Sequence, residues 1–187
     1  MLLRSYNFPF NQSKLQCAID NLVVKENSFH EEGNYYSSYF LDRDERPDIE
    51  FAPYYLSILH RVSKELGLYH RVEYDCIFWM QTYNVNGHHN QHDHFFGCEA
   101  FSWVHFVEPG DTPCFYFVDS DGNKNYPPQE KNDFIIFPPW SLHGVDPVPS
   151  PMRTVIAGNI LFTSLESNDS VSLCHKLHDK LCVWEVR

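Results

Sequence analysis

The spacing of apolar positions changes part-way along the chain. Near the start it is helical: Leu15, Ile19 and Leu22 fall at i, i+4 and i+7 behind Asn11, a residue suited to cap a helix N-terminus. A second stripe, Tyr55, Leu59, Val62 and Leu66, begins after Asp48, with Pro53 in its first turns and Gly67 to end it. Between these predicted helices, residues 25–46 are polar and read as loop, with one strand around 35–40. After Gly67 the pattern shifts to short aromatic and β-branched runs at 74–83, 98–107, 114–118, 134–137 and 153–162. Turn signals separate them: Asn86-Gly87, Pro109-Gly110-Asp111, Asp121-Gly122, Pro138-Pro139 and the prolines from Pro147 to Pro151. Short strands punctuated this regularly predict a sandwich or barrel rather than βαβ units. Residues 171–186 fit a closing helix or strand. No repeat, low-complexity tract or linker is visible, so one mostly β domain with N-terminal helices is expected over 1–187. It divides into helical support (1–70), a β core (71–163) and a closing segment (164–187).

Composition narrows the classes. The chain has 187 residues, enough to bury one substantial core, and its 16% aromatic share suits packed strands. A net charge of −11 argues against nucleic acid and anionic membranes as partners. No run of eighteen apolar residues occurs, and no apolar leader with a small-residue cleavage site opens the chain, so a cytoplasmic location is expected. The cysteines at 17, 76, 98, 114, 174 and 182 form no C-x-x-C pair and are expected to be free thiols. The N-x-S sequons at Asn11 and Asn168 then carry no glycan.

Histidine supplies the candidate chemistry. His88, His89, His92 and His94 crowd together behind Asn86-Gly87. In an extended backbone residues two apart face the same way, so His92 and His94 would point together, with Asp93 opposite. A third ligand would come from His143, after an apolar strand and the stiff Pro138-Pro139 pair. Three imidazoles suit zinc, iron, copper or nickel. On one face of an octahedral ion they leave three positions open, and with zinc they leave room for a water. The alternative is a solvated histidine loop and a packed His143. His30, His60, His70, His175 and His178 lie off the pattern.

Arg153 heads an otherwise apolar run, sharing a face with Val155, Ala157 and Asn159. Turned inward, it would be buried without a partner in sequence, a cost removed if the cavity holds a carboxylate that its fork can grip. Turned outward at a strand end, it would reach water. Tyr83 shares a face with Trp79 and Gln81, as a wall tyrosine or a hydroxyl donor to a ligand.

Over residues 74–162, about half the chain, these segments resemble the small prolyl-hydroxylase-like 2-oxoglutarate/Fe(II)-dependent oxygenases, including a group common in phages and marine bacteria. Trp79 and Asn84 precede the H-x-H of His92-Asp93-His94. Ser102-Trp103-Val104-His105-Phe106-Val107 follows, with Pro109. The later motifs are Asn132-Asp133-Phe134-Ile135-Ile136-Phe137-Pro138-Pro139-Trp140-Ser141-Leu142-His143 and the run from Arg153 to Asn159. The resemblance implies a double-stranded β-helix (a cupin-like jelly roll) using Fe(II), 2-oxoglutarate as co-substrate and O₂. It would hydroxylate a small-molecule or peptidyl substrate by oxidative decarboxylation of 2-oxoglutarate. It makes His92 and His143 iron ligands and gives the distal carboxylate of 2-oxoglutarate to Arg153, with Tyr83 and Asn159 on the co-substrate side. The wider superfamily has H-x-D/E, and here His94 holds the carboxylate position. The third ligand is then His94, at the cost of one more positive charge, or Asp93 if the strand twists or bulges. His105 and Trp103 also replace the group's phenolic and small residues; His105 either approaches the site or packs. Two alternatives stand beside this one: a three-histidine cupin-like dioxygenase or isomerase without 2-oxoglutarate, which leaves Arg153 idle, and a non-catalytic jelly roll that binds a metal or ligand.

Overall fold

Asn11 caps the first helix as its position predicts: its side chain accepts from the Lys14 N–H, and α1 (Gln12–Val23) buries Leu15, Ile19 and Leu22. The chain is described here as a computed structural model covering residues 4–66, 74–95, 99–162 and 183–186. Gly67, Cys98, Cys174, Cys182, His70, His175, His178 and most of the closing segment lie outside the described residues. The strand β1 (Arg4–Asn7) precedes α1, and β2 (Phe29–His30) and β3 (Tyr35–Ser37) follow it. Next come α2 (Ala52–Glu65), with proline in its first turn, and the long strand β4 (Tyr74–Tyr83). Then follow β5 (His89–His92), β6 (Glu99–Glu108), β7 (Phe115–Val118), β8 (Lys124–Asn125), β9 (Asp133–Phe137), β10 (His143–Val145), β11 (Arg153–Phe162) and β12 (Val183–Val186). No helix among the described residues is long and apolar enough to cross a membrane. Among the described residues, Cys17 and Cys114 are free thiols.

The strands form two antiparallel sheets, ordered β1-β9-β6-β11-β4-β3-β2 and β5-β10-β7-β8, with β12 also pairing on β4. Together they make the jelly roll. Side-chain alternation divides its interior into two cores. Phe134, Ile136, Trp103 and Ile156 pack under both helices, on the outer face of the large sheet. Their strand neighbours Ile135, Phe137, Val104 and Val155 meet Phe115, Phe117 and Val145 of the small sheet. His105 belongs to the outer face: Tyr55 Oη lies 2.9 Å from its Nδ1, and the Phe8 carbonyl 2.9 Å from its Nε2. Of the two expectations for His105, packing is the one realised.

The first third contributes more than helices, because β1 extends the large sheet on β9 and β3 extends it on β4. β3 and β12 share one edge of β4, at residues 81–83 and 74–77, and leave a gap between them. Ser38 and Arg46 fill it. Ser38 Oγ accepts from the Met80 N–H, and an Arg46 N–H donates to the Phe78 carbonyl. Both side chains are tied to buried Asp48, with an Arg46–Asp48 separation of 2.8 Å.

Candidate metal centre

His92 and His143 meet because β5 and β10 are neighbours whose register places them directly opposite each other. β10 is sandwiched between β5 and β7, and the chain reaches it through a turn in which the Ser141 N–H bonds the Pro138 carbonyl. Its middle residue is glycine for a steric reason. A Cβ on Gly144 would sit 2.7 Å from Tyr116 Oη and 3.0 Å from the His89 carbonyl. β5 stops at His92, so His94 is not on the same regular strand. Its N–H donates instead to the Pro139 carbonyl at 2.8 Å, which turns the ring back toward His143.

The candidate ligand atoms of His92, His94 and His143 lie within 4.8 Å of one another. The Nδ1 of His92 is 2.8 Å from the Asn90 carbonyl and that of His143 is 2.8 Å from the Ser141 carbonyl. A carbonyl can only accept, so both Nδ1 atoms carry the proton and both Nε2 atoms keep their lone pairs. His94 Nε2 and His143 Nε2 face each other at 3.3 Å. Burial drives all three toward the neutral form: His94 falls to about 3, His143 lies well below its ordinary value, and His92 is lowered against the opposing pull of Asn90 and Asp93. Mutual repulsion adds to this at His94 and His143. Neutral imidazoles with converging lone pairs are what a divalent transition metal takes. The residues fit the ion. Asp93 does not join them: it is exposed, and its Oδ1 accepts from the Phe95 N–H at 3.1 Å.

The three rings line a cavity of about 430 Å³ between the sheets. Arg153 also lines it, only 1% exposed, in register with Tyr83 across the β11–β4 pairing. Its Nη2 donates to Gln129 Oε1 at 3.3 Å, while Nε and Nη1 have no partner among the described residues. Burial lowers its pKa; nearby Tyr83 and Cys114 pull the other way, and no carboxylate among the described residues pairs with it. The Tyr83 phenol is pushed up by burial and donates to Gln81 Oε1 at 3.2 Å. Asn159 faces the same cavity, with its Oδ1 accepting from Ser102 Oγ at 2.8 Å. It lies six residues beyond Arg153, roughly 20 Å along an extended strand. The two cannot grip one small carboxylate, so Asn159 belongs to the far end of the cavity.

Two residues at the site escaped the sequence reading. His89 stacks on His92, with ring centroids 4.4 Å apart, and on Tyr35 at 5.3 Å. Its place in the histidine cluster was the available signal. Gln129 had none, since its partner Arg153 is remote in sequence and its own surroundings read as loop.

No known protein-family profile matches the chain, and no curated protein sequence does. Solved structures are similar to it throughout. A prolyl-4-hydroxylase from Pseudomonas putida superposes with a TM-score of 0.60 at 13% identity, over 85% of this chain and 91% of its own. A 2OG-Fe(II) oxygenase-family oxidoreductase from Burkholderia pseudomallei gives 0.60 at 15% identity, over 84% of each. A prolyl hydroxylase from Trichoplax adhaerens, solved with a hypoxia inducible factor peptide fragment, gives 0.59 at 11% identity over 91% and 86%. What the chain shares with them is the jelly-roll fold.

Proposed function

We propose that this chain is an Fe(II)- and 2-oxoglutarate-dependent dioxygenase that hydroxylates a small-molecule or peptidyl substrate. The observation that carries the reading is the shared cavity: three converging neutral imidazoles and, on the same wall system, a buried arginine with two donor nitrogens that have no partner among the described residues. A three-histidine enzyme without 2-oxoglutarate would leave that guanidinium buried and uncompensated, which is costly. A dicarboxylate removes the cost.

His92, His94 and His143 would hold the iron. Fe(II) with 2-oxoglutarate supplies O₂ activation, coupling decarboxylation of the oxo acid to succinate and CO₂ with substrate hydroxylation. The chain's own residues do the rest. The Asn90 and Ser141 carbonyls fix the ring tautomers, so the Nε2 atoms need no proton transfer before they bind a metal. Arg153 grips the distal carboxylate and so fixes the length and direction of the co-substrate. Tyr83 stays protonated, its O–H donating to Gln81, and presents its oxygen along the same wall. Trp79, close to His94 at 6.0 Å between ring centroids, and the partly exposed Tyr39 and Phe40 form the aromatic side of the cavity that receives substrate. Three neutral ligands leave the site one unit more positive than two histidines and a carboxylate would, which favours an anionic co-substrate.

Anaerobic titration with Fe(II), with and without 2-oxoglutarate, tests this. The weak visible charge-transfer band of an iron–oxo acid chelate is expected in wild type and absent in His143→Ala. In Arg153→Ala the band needs at least about tenfold more 2-oxoglutarate. Iron binding that 2-oxoglutarate leaves unaltered would overturn the reading.

A further inference from the structure

The side chain that holds Arg153 among the described residues is neutral, and both of its polar atoms are engaged. Gln129 lies between β8 and β9 and is buried. Its Oε1 accepts from the backbone N–H groups of Phe115 at 2.9 Å and Cys114 at 3.3 Å, and from Arg153 Nη2 at 3.3 Å. Its Nε2 donates to the carbonyls of Phe115 at 2.7 Å and Pro127 at 3.3 Å. The amide orientation is therefore dictated: reversing it would set an NH₂ against three N–H donors and an oxygen against two carbonyls. The carboxamide acts as a short ladder partner for the start of β7 and presents a fixed acceptor to one arm of the guanidinium. A glutamate here would neutralise Arg153 within the protein. The glutamine positions it and leaves its charge, with Nε and Nη1, for whatever enters the cavity.

We infer that Gln129 is the positioning residue that makes this cavity select a dicarboxylate over a monocarboxylate of the same shape. The inference rests on the 2-oxoglutarate reading above and goes beyond it by assigning the selectivity to a neutral anchor. Cation–π proximity to Tyr83 and Phe106, whose ring centroids lie 5.5 and 5.8 Å from the guanidinium carbon, stabilises the charge without consuming a donor.

The test is calorimetric binding to the Fe(II)-loaded protein under anaerobic conditions, so no turnover is needed. The ligands are 2-oxoglutarate and 2-oxopentanoate, which keeps the oxo-acid head and lacks the distal carboxylate. Wild type is expected to prefer 2-oxoglutarate by about thirtyfold or more. Gln129→Glu is expected to weaken 2-oxoglutarate by about tenfold or more and to change 2-oxopentanoate by less than about twofold. Gln129→Met, which cuts the anchor but leaves the charge uncompensated, should fall between the two for 2-oxoglutarate and again spare the monocarboxylate. Equal weakening of both ligands, or a Gln129→Glu affinity for 2-oxoglutarate within about twofold of wild type, overturns the inference. Should the glutamate variant fail to fold, Gln129→Met decides: a Met variant that binds 2-oxoglutarate within about twofold of wild type overturns the inference. Wild type that binds neither oxo acid sinks the dioxygenase reading instead. A strong wild-type preference abolished by Arg153→Ala but untouched at Gln129 sinks only the role given to Gln129.

Discussion

His105 shows how a single buried side chain can carry a pH dependence unrelated to the metal centre. The Phe8 carbonyl requires a proton on Nε2, so Nδ1 accepts from the Tyr55 hydroxyl. Burial depresses its pKa to about 4, against the weaker upward pull of hydrogen bonds to the Phe8 and Asn132 backbone. The native state therefore refuses a proton that the unfolded chain takes near pH 6.5. This contribution is whole above about pH 6.5 and lost as pH falls toward 4, on the order of 3 kcal/mol at most. A glutamine side chain in its place would offer one donor and one acceptor to the same partners and titrate nothing. In His105→Gln the slope of unfolding free energy between pH 6.5 and 4, from urea melts, should fall by up to about 1.4 kcal/mol per pH unit. An unchanged slope would show that His105 is not neutral in the native state. The sequence left open whether His105 approaches the site or packs, because strand alternation sets two faces without naming the buried ligand side.

At the scale of elements, the edge of β4 opposite β11 is held by two strands and, between them, by side chains from residues 38–48. Asp48→Asn would take the carboxylate charge away from buried Arg46, at a cost of about 3–5 kcal/mol read as a lower urea midpoint. Replacing both members with apolar residues of similar volume is expected to restore most of that loss. β10 is equally exacting. Gly144→Ala must push Tyr116 or the His89 backbone aside, so it should lower iron affinity several-fold while far-UV circular dichroism stays unchanged. Strands β4, β9 and β11 were legible because they are long or strongly apolar. Strands β5 and β10 were not: one is polar and the other is three residues long, and each exists because its neighbour supplies the ladder.

For the whole molecule, metal and proton compete for the same nitrogens. A bound divalent ion stabilises only the native state, by about 2.7 kcal/mol at a hundredfold excess over Kd. A melting temperature several degrees higher with Fe(II) than with a chelator is therefore expected near pH 7.5. Because burial keeps the native imidazoles unprotonated well below their ordinary range, to about pH 3 at His94, the gap should persist through mildly acidic pH and vanish at every pH in His143→Ala. A gap that survives in that variant would place the ion elsewhere.

The residues by themselves determined the helix cap at Asn11, the principal strands, and the candidates His92, His94, His143 and Arg153, because local spacing and chemistry are written in neighbouring positions. Only the tertiary structure decided that the histidines converge, that Arg153 turns inward with no counter-charge among the described residues, that Asn159 stands at the far end of the cavity and that Gln129 holds the guanidinium. Each of these depends on strands distant in sequence coming into register. Pairing across a sheet is set by the packing of two cores at once, which no local window of sequence contains.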